Sequence, residues 1–474
     1  MNGKAAHLSA HRVVIVGAGF GGLNAAQTLA HAAVSTTIID RKNHHTFQPL
    51  LYQVATAGLS PGEIASPIRS ILSRYKNVEV LMADVTGFDL DRRVVQTAGQ
   101  GEVQEIPYDS LIVAAGASHA YFGHDEWQTL APGLKTIEDA LEIRRRVLLA
   151  FELAERRAAA SESAEPLNFV VVGGGPTGVE LAGTLAEICR HALAHDFRAI
   201  DPSRTRIHLI EGGPHVLPAY PEDLSRSALE QLQRLGVEVL TSTMVTKIAP
   251  GAIYMGDTRM NAAVILWAAG VAASPLGKKL GVPVDRAGRV LVNPDLSLPN
   301  HPEVFVIGDL AALKDTSGKL LPGVAPVAIQ QGRFVGKRIA RELKARAPSF
   351  SRALREEPAL SLSKGGGVDL RPAFHYHDKG SLATIGRSAA IAQFGKIHIS
   401  GFIAWLAWLF VHIFFLIGFR NRVLVFIQWA WSYFTYERGA RLITGSTSLP
   451  GWSEPLSAAS GNSEAEEMSI ASRK

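Results

Sequence analysis

Two glycine-rich loops constrain the fold of this 474-residue chain more than any other feature. RVVIVGAGFGGLNAAQTL contains Gly17-x-Gly19-x-x-Gly22, and NFVVVGGGPTGVELAGTL contains Gly173-x-Gly175-x-x-Gly178. Each loop follows a run of β-branched residues typical of a buried parallel strand, and each precedes a segment with helical periodicity. The sequence therefore predicts an α/β fold with two Rossmann-type dinucleotide-binding domains.

The glycines and the acid that follows them have separate roles in such a unit. The first glycine permits the tight turn, the second lets the backbone approach a pyrophosphate, and the third lets the helix pack on the strand. The helix N-terminus then faces the phosphates. Asp40 ends the next strand of the first unit and Glu211 that of the second, where a carboxylate binds a ribose. Glu211 is expected to favour NADH, because its charge repels the 2′-phosphate of NADPH.

A later strand, EVFVIGDLA (303–311), ends in Gly308 and Asp309. A Rossmann unit followed by a second, inserted unit and a Gly-Asp strand end is the plan of two-dinucleotide flavoproteins. In that plan FAD binds to the first unit and NAD(P)H to the second, and Asp309 hydrogen-bonds the ribityl chain of the flavin. We predict an FAD-binding domain at residues 1–125 and 290–345, and an NADH-binding domain at 126–289.

Cys189 is the only cysteine, and this limits the electron acceptor. Disulfide reductases need a cysteine pair beside the flavin and sulfide:quinone reductases need two or three, so both classes are excluded. A quinone, a carrier protein and oxygen stay open as acceptors. The net charge of +5 comes without a dense Lys/Arg block, so nucleic acid is not an expected partner. His44-His45 and His375-x-His377 lack further ligands at a suitable spacing, so no metal site is predicted.

Four further segments form a specific pattern, namely NHHTFQPLLYQVATAGLSP (43–61), GGGPTGVELAG (173–183), APVAIQQG (325–332) and HDKGSLATIGR (377–387). With them the chain resembles the type II NADH dehydrogenase family. Members of that family are single-subunit NADH:quinone oxidoreductases, similar to pyridine nucleotide-disulfide oxidoreductases but without redox cysteines. The resemblance covers the chain to about residue 445. One departure is Pro326, where the family signature Ala-Gln-x-Ala-x-Gln-Gln has its first Gln.

The resemblance implies a membrane-attached, FAD-dependent NADH:quinone oxidoreductase of the respiratory chain that does not pump protons. Glu180 is then expected to contact the nicotinamide, Gln330 and Gln331 to face the quinone, and Lys379 to lie near the quinone or the flavin. The residues expected to bind FAD are Gly17, Gly19, Phe20, Gly22, Asp40, Arg41, Gly308, Asp309 and Ala325. Those expected to bind NADH are Gly173, Gly175, Gly178, Glu180, Glu211 and Gly270. Two alternatives are an NADH-dependent reductase of a ferredoxin- or rubredoxin-type carrier protein and a flavin-bound regulatory protein.

The stretch ISGFIAWLAWLFVHIFFLIGF (399–419) carries no charged residue and has the length of a membrane span. The next apolar run, VLVFIQWAWSYFTY (423–436), is too short to span. Three interpretations are a buried helix pair, a single span, and a monotopic hairpin that enters one leaflet. We prefer the hairpin, because a water-soluble flavin domain must reach a quinone dissolved in lipid. We predict membrane-attachment helices at 397–445 on the cytoplasmic face of the cell inner membrane, and a homodimer is plausible for the family.

Three further segments complete the predicted organisation. Residues 346–372 are rich in Gly, Ser and charge and are expected to form a flexible insertion. Residues 373–396 form the quinone-side segment that the resemblance implies. Residues 446–474 are expected to be a disordered tail, because their composition becomes polar.

Overall fold

A computed structural model of the protein describes residues 10–99, 102–160, 165–346, 372–435 and 439–452. The described residues form a mixed α/β fold, as the glycine loops predict. Its α-helices are α1 (Phe20–Leu29), α2 (Leu51–Ala55), α3 (Pro61–Ile64), α4 (Ile68–Leu72), α5 (Ile137–Ala159), α6 (Pro176–Glu187), α7 (Glu222–Arg234), α8 (Ala325–Arg346), α9 (Phe402–Phe415) and α10 (Phe419–Thr435).

The first glycine loop follows a central strand of a six-stranded sheet, at the carboxyl end of that strand. Its strands, in spatial order, are Ser297–Leu298, His301–Val306, Ser110–Val113, His11–Val16, Val34–Asp40 and Val78–Met82. Every neighbouring pair is parallel except the first, which is antiparallel. The central strand is buried from Val13 to Val16, as expected for a parallel sheet covered on both faces. Helices α1 and α8 pack against each other beside this sheet.

The second glycine loop follows a central strand of a four-stranded, all-parallel sheet, at the carboxyl end of that strand. Its strands, in spatial order, are Val237–Leu240, Arg206–Ile210, Asn168–Val172 and Val264–Trp267. The strand before the loop again runs buried from Phe169 to Val172. The two loops therefore occupy equivalent places, each between a central parallel strand and the helix that follows it.

Shorter antiparallel sheets surround these two. The three-stranded ones are Asp84–Asp89, Val94–Gly99 and Glu102–Pro107; Lys247–Ala249, Ala252–Met255 and Thr258–Asn261; and Ser381–Gly386, Ala389–Phe394 and Ile397–Ser400. The paired strands are Ala117–His119 with Val271–Ala273, His44–Thr46 with Ala65–Pro67, and the parallel pair Val290–Leu291 with Ala311–Ala312. The sheet that begins at Ser381 packs against α6, α7 and α9, so it joins the second Rossmann unit to the C-terminal helices.

The uncharged stretch 399–419 is interrupted rather than one helix. It starts in the strand Ile397–Ser400, continues as the 14-residue helix α9, and turns at Leu416–Gly418, where Gly418 has a φ of +89°. At 1.5 Å per residue α9 is about 21 Å long, whereas the hydrocarbon core of a bilayer is about 30 Å thick. No helix in the described part of the chain is both long and apolar enough to cross a membrane.

Helices α9 and α10 are held together by aromatic contacts. Trp408 lies 5.3 Å from Trp429 between ring centroids, and Trp405 lies 5.4 Å from Tyr433. Ala404 packs in the other direction, against the small residues of the sheet that begins at Ser381. One side of the pair therefore rests on the protein body, and the opposite side is free.

The predicted disorder from residue 446 does not begin there. Leu449 is buried, and Arg145 Nη1 donates to the carbonyl oxygens of Ser446 (2.7 Å) and Ser448 (2.8 Å). These contacts hold residues 446–448 against the protein body, because Arg145 lies on α5. The rest of that tail and nearly all of the predicted insertion at 346–372 lie outside the described residues.

Candidate functional site

The conformation of the first glycine loop leaves no room for Cβ atoms at two positions and leaves the backbone accessible to a ligand at another. Gly17 has a φ of +98°, and a Cβ atom there would lie 2.4 Å from the Ala114 carbonyl oxygen. A Cβ atom on Gly22 would lie 1.8 Å from the carbonyl oxygen of Gly17. Gly19 faces open space instead, with nothing within 4 Å of the position of a Cβ atom. Gly17 and Gly22 thus allow close packing, and Gly19 leaves room for a ligand.

Helix α1 begins at this loop in a state that suits an anion. Its N-cap is Gly19, no side chain caps it, and its first turn contains no acidic residue. The positive end of the helix dipole is therefore available to phosphate groups. Asp40 lies beside the loop and accepts hydrogen bonds from the backbone N–H of Ala18 (2.7 Å) and of Lys42 (2.8 Å), while Arg41 is exposed. The open backbone, the uncapped helix and the adjacent carboxylate fit the diphosphate and ribose of a dinucleotide.

Gln331 lies inside the protein and supports the Gly-Asp strand end. Its side chain is 1% exposed, and its Oε1 accepts a hydrogen bond from the Gly308 backbone N–H at 2.6 Å. Gly308 has a φ of +73°, so the bond holds a turn that carries Asp309. The expectation that Gln331 faces a quinone is not met, because the side chain is enclosed and its oxygen is already used. Gln331 instead fixes α8 against the turn.

Gln330 connects α8 to the segment that contains Lys379. Its Nε2 donates to the His377 carbonyl oxygen at 2.9 Å, and its Oε1 accepts from the His377 backbone N–H at 3.0 Å. Both ends of the amide are therefore engaged by one peptide segment. Lys379 follows two residues later with an exposed side chain. The structure brings these two predicted residues close together, with Gln330 as the support of the loop.

The second glycine loop repeats the geometry of the first. Gly173 has a φ of +107°, and a Cβ atom on Gly178 would lie 1.8 Å from the Gly173 carbonyl oxygen. Gly175 faces open space, and α6 begins without a side-chain cap or an acidic residue in its first turn. Glu211 accepts hydrogen bonds from the backbone N–H of Gly174 and of Gly213, both at 2.6 Å. A second dinucleotide therefore fits here by the same criteria.

Gly270 lies where the second sheet meets a loop. Its carbonyl oxygen accepts from the Ala120 backbone N–H at 3.2 Å. A Cβ atom there would lie 2.6 Å from the ring of Phe122 and 3.0 Å from the Ala120 carbonyl oxygen, so a larger residue would displace the Phe122 ring. Its predicted contact with NADH stays a prediction.

Glu180 is a partly buried carboxyl group. It lies on α6 opposite the strand Ser381–Gly386, and Gly183 permits the close contact because a Cβ atom there would lie 1.6 Å from the Ile385 carbonyl oxygen. Burial raises the pKa of Glu180 to about 8, although a hydrogen bond from the Thr384 backbone acts in the opposite direction. Tyr220 is nearby, and its pKa is raised by its own burial and, to a smaller extent, by Glu180. At neutral pH Glu180 is therefore largely protonated and can donate a hydrogen bond.

Two residues near the first loop were not found by sequence reasoning. Lys135 lies close enough to Asp309 for their charges to interact, and burial lowers the pKa of its ammonium group. His45 Nδ1 lies 2.9 Å from the Ala18 carbonyl oxygen, and burial lowers the pKa of the ring. Lys135 has no motif around it, and His45 lies in the segment 43–61, which carries the family resemblance without giving this residue a role. Among the described residues, no group of three or more His, Cys, Asp or Glu side chains is placed to hold a metal ion.

The free side of α9 and α10 forms an apolar surface. We call it the apolar face, and it consists of Phe402, Ile403, Leu406, Phe410, Phe414 and Phe415 on α9 and Val423, Leu424, Phe426, Ile427, Trp431 and Phe434 on α10. Phe410 is 69% exposed and Phe434 is 80% exposed. Contiguous exposed apolar surfaces of this kind mark contact sites for a membrane or another protein.

Comparisons with known proteins agree with this geometry. The sequence model of the pyridine nucleotide-disulphide oxidoreductase family matches residues 11–332, and that of the NDH2 C-terminal domain matches residues 378–436. The chain is 45% identical to the type II NADH:quinone oxidoreductase Ndh of Mycobacterium tuberculosis over 92% of this chain and 90% of that protein. It is 46% identical to NdhA of the same organism over 92% and 89%.

The fold is also similar to a solved structure, that of NDH2 from Plasmodium falciparum in complex with NADH. The two agree with a TM-score of 0.77 and 21% identity, over 92% of this chain and all of that chain. The sequence matches cover both glycine loops, Gln330, Gln331, Lys379, α9 and α10. The chain belongs to the type II NADH:quinone oxidoreductase family.

Proposed function

We propose that this chain is a membrane-attached, FAD-dependent NADH:quinone oxidoreductase that does not pump protons. The observation that carries the proposal is the combination, in one chain, of two open dinucleotide loops with an exposed apolar face. The relatives at 45% and 46% identity bear the name of this activity. FAD supplies the two-electron chemistry when it is bound, and the protein supplies binding and orientation.

In this proposal each glycine loop binds a different dinucleotide. FAD binds to the domain formed by residues 1–125 and 290–345, on the loop Gly17–Gly22 with Asp40 and Asp309. NADH binds to residues 126–289, on the loop Gly173–Gly178 with Glu211. Gln331 fixes the Gly308 turn that carries Asp309, and Gln330 holds the loop of Lys379. These side chains position the reacting groups and do not themselves change oxidation state.

The apolar face attaches the enzyme to the membrane from one side. A quinone is dissolved in the hydrocarbon, so its reductase must hold the mouth of its site against a leaflet. Aromatic and aliphatic side chains on α9 and α10 supply the apolar area, and Arg420 is exposed in the first turn of α10, where it suits anionic headgroups. We place the protein on the cytoplasmic face of the cell inner membrane. A homodimer stays a prediction, which light scattering on the detergent-solubilised protein tests.

Stopped-flow measurement of the two half-reactions tests the proposal. NADH is expected to bleach the flavin absorbance of the purified enzyme, and a short-chain quinone is expected to restore it faster than air does. Recovery with a quinone no faster than with air would contradict the quinone reductase function. Fast recovery with a ferredoxin- or rubredoxin-type protein but not with a quinone would favour the carrier-protein alternative.

We expect Glu211→Gln to weaken the preference for NADH. The variant keeps an oxygen that can accept one of the two backbone hydrogen bonds, but it loses the negative charge that repels a 2′-phosphate. The ratio of kcat/KM for NADPH to that for NADH should rise about tenfold, as expected for removal of one unfavourable charge contact at a partly exposed site. Glu230→Gln, at an exposed position on α7 of the same domain, is the matched control. An unchanged ratio in Glu211→Gln would exclude Glu211 as the ribose-side residue.

Glu180 gives the enzyme an expected pH dependence in the binding of NAD⁺. The pKa of Glu180 is raised to about 8, so the carboxyl group is neutral below that pH and negative above it. The nicotinamide ring is positively charged in NAD⁺ and neutral in NADH. The affinity for NAD⁺ relative to NADH should therefore increase as the pH rises through about 8, by roughly fivefold to tenfold. Steady-state kinetics at pH 6.5 and 9 measure the ratio, as the product-inhibition constant of NAD⁺ against the KM of NADH.

The matching variant for this prediction is Glu180→Gln. It retains a hydrogen-bonding side chain of the same length but has no titrating group, so its NAD⁺/NADH affinity ratio should be flat over the same pH range. If Glu180→Gln keeps the wild-type pH dependence, another group causes it and Glu180 does not lie beside the nicotinamide.

A further inference from the structure

His412 lies in the last turn of α9 and has a defined tautomer. Its Nδ1 is 2.7 Å from the carbonyl oxygen of Trp408, and its ring stacks on the Trp408 indole with centroids 4.3 Å apart. A carbonyl oxygen only accepts hydrogen bonds, so Nδ1 carries the proton and donates it. Burial lowers the pKa of His412 to about 4, so the ring is neutral at physiological pH. Its Nε2 therefore presents a lone pair, and no described residue donates a hydrogen bond to it.

One side of His412 contacts the predicted flavin-binding region. Its ring meets the edge of Phe47 with centroids 6.2 Å apart, and Phe47 meets Phe20 at 5.9 Å. Phe20 is the first residue of α1 and directly follows Gly19 of the first glycine loop. His412 is thus separated from that loop by two aromatic rings.

A second route connects the same place with Asp309. Gln48, next to Phe47, donates from Nε2 to the Lys135 carbonyl oxygen at 3.4 Å. The charge of Asp309 in turn acts on the ammonium group of Lys135. His412 therefore adjoins a segment that reaches both the glycine loop and the Gly-Asp turn.

The other side of His412 leads to an apolar groove between α9 and α10. The groove has a volume of about 240 Å³, and its lining includes Trp405, Leu409 and Trp429. Residues 405, 409 and 412 are spaced i, i+4 and i+7, so they lie along one side of α9. Trp429 also contacts Trp408, on which His412 stacks. His412 thus lies one turn beyond the groove, between the apolar face and the segment around Phe47.

We propose that His412 contacts the quinone headgroup and that its Nε2 accepts a hydrogen bond from a hydroxyl group of the quinol product. The proposal rests on the function proposed above. Quinone oxygens only accept hydrogen bonds, whereas quinol hydroxyl groups also donate them, so a bare lone pair favours the quinol. In the overall reaction NADH, one proton from solvent and the quinone give NAD⁺ and the quinol. His412 neither gains nor loses a proton in this reaction.

Two substitutions separate this role from simple packing. His412→Phe keeps an aromatic ring between Trp408 and Phe47 but removes the acceptor. His412→Gln retains an amide oxygen that can occupy the region of Nε2 and accept the same hydrogen bond. His31→Phe is the matched control, because His31 is exposed just after the end of α1 and contacts only the ring of Tyr75 among the aromatic side chains described.

The measurement uses the full-length, FAD-containing enzyme in phospholipid vesicles, with a short-chain ubiquinone and its quinol as probes. His412→Phe is expected to raise the inhibition constant of the quinol about tenfold, the effect of one lost hydrogen bond, while the KM of the quinone changes less than about twofold. Reoxidation of the flavin by the quinone, relative to its reduction by NADH in the same sample, should slow by about fivefold to tenfold. His412→Gln should recover most of both effects, and His31→Phe should match the wild type.

Three outcomes would overturn the proposal. Quinol inhibition could be unchanged in His412→Phe, or quinone and quinol binding could weaken equally, or His412→Gln could behave no better than His412→Phe. Each would leave His412 as a packing residue only. Failure of the proposed function gives a different result, because the flavin of the wild-type enzyme would then not be reoxidised by the quinone.

Discussion

Gly22→Ala is expected to give a protein that purifies without flavin colour but still binds NADH, whereas Gly178→Ala gives a yellow protein that NADH no longer bleaches. In both positions a Cβ atom would lie 1.8 Å from a carbonyl oxygen of the same loop, Gly17 in one case and Gly173 in the other. Real Cβ atoms do not approach so closely, so the loop must move away from its helix. A displaced loop loses the alignment of backbone and helix N-terminus that holds a pyrophosphate.

The expected losses are large because overpacking and lost phosphate contacts add. A cost of about 3 kcal/mol in the bound state corresponds to a weakening of binding of more than about a hundredfold. Flavin content is measured from the absorbance after denaturation, NADH binding from its fluorescence, and folding from circular dichroism. Gly62→Ala is the matched control, because nothing lies within 4 Å of the position of its Cβ atom. If Gly22→Ala lost NADH binding and Gly178→Ala lost the flavin, the assignment of the two loops would be reversed.

The paired Rossmann units could be predicted from sequence because their signals are local. Gly17, Gly22 and Asp40 lie within one strand-helix-strand unit, and short-range sterics dictate their spacing. The structure places Asp40 beside the loop and reproduces the arrangement at Glu211. A pattern that is complete within about 30 residues needs no knowledge of the rest of the chain.

The different roles of Gln330 and Gln331 could not be predicted, because a motif does not give helix orientation. Adjacent residues of an α-helix point about 100° apart, so the two side chains of one signature face different surroundings. Gln331 points inward to Gly308, and Gln330 points to His377. The partner of each is known only once α8 is docked on the sheet.

Long-range contacts explain the other differences. Burial of Glu180 depends on the strand that carries Thr384, about two hundred residues later in the chain. The order of residues 446–448 depends on Arg145 of α5. The break at Gly418, in contrast, had a visible signal, since a glycine in an otherwise unbroken apolar stretch favours a turn. The length and the hydrophobicity of the stretch alone do not reveal this break.

Phe410→Ser combined with Phe434→Ser is expected to release the enzyme from membranes. The two rings are 69% and 80% exposed on different helices of the apolar face, so their removal leaves the packing of α9 against α10 intact. Burying a large apolar side chain contributes about 1.5–3 kcal/mol, and two of them therefore correspond to a change in partitioning of about a hundredfold or more. Sedimentation with vesicles of mixed zwitterionic and anionic phospholipid measures the partition coefficient.

The matched control replaces two exposed apolar residues elsewhere, Met82→Ser with Val103→Ser, which are 61% and 68% exposed on strands of the FAD-domain side. This control should sediment like the wild type, because only residues that enter the leaflet contribute to partitioning. With the quinone supplied in the vesicles, the Phe410/Phe434 variant should lose quinone turnover in proportion to its release, while NADH still bleaches its flavin. Equal sedimentation of the variant and the control would show that α9 and α10 do not enter the lipid. The apolar face would then have to be covered by protein, as the buried-pair interpretation requires. A quinone could then not reach His412 from the bilayer.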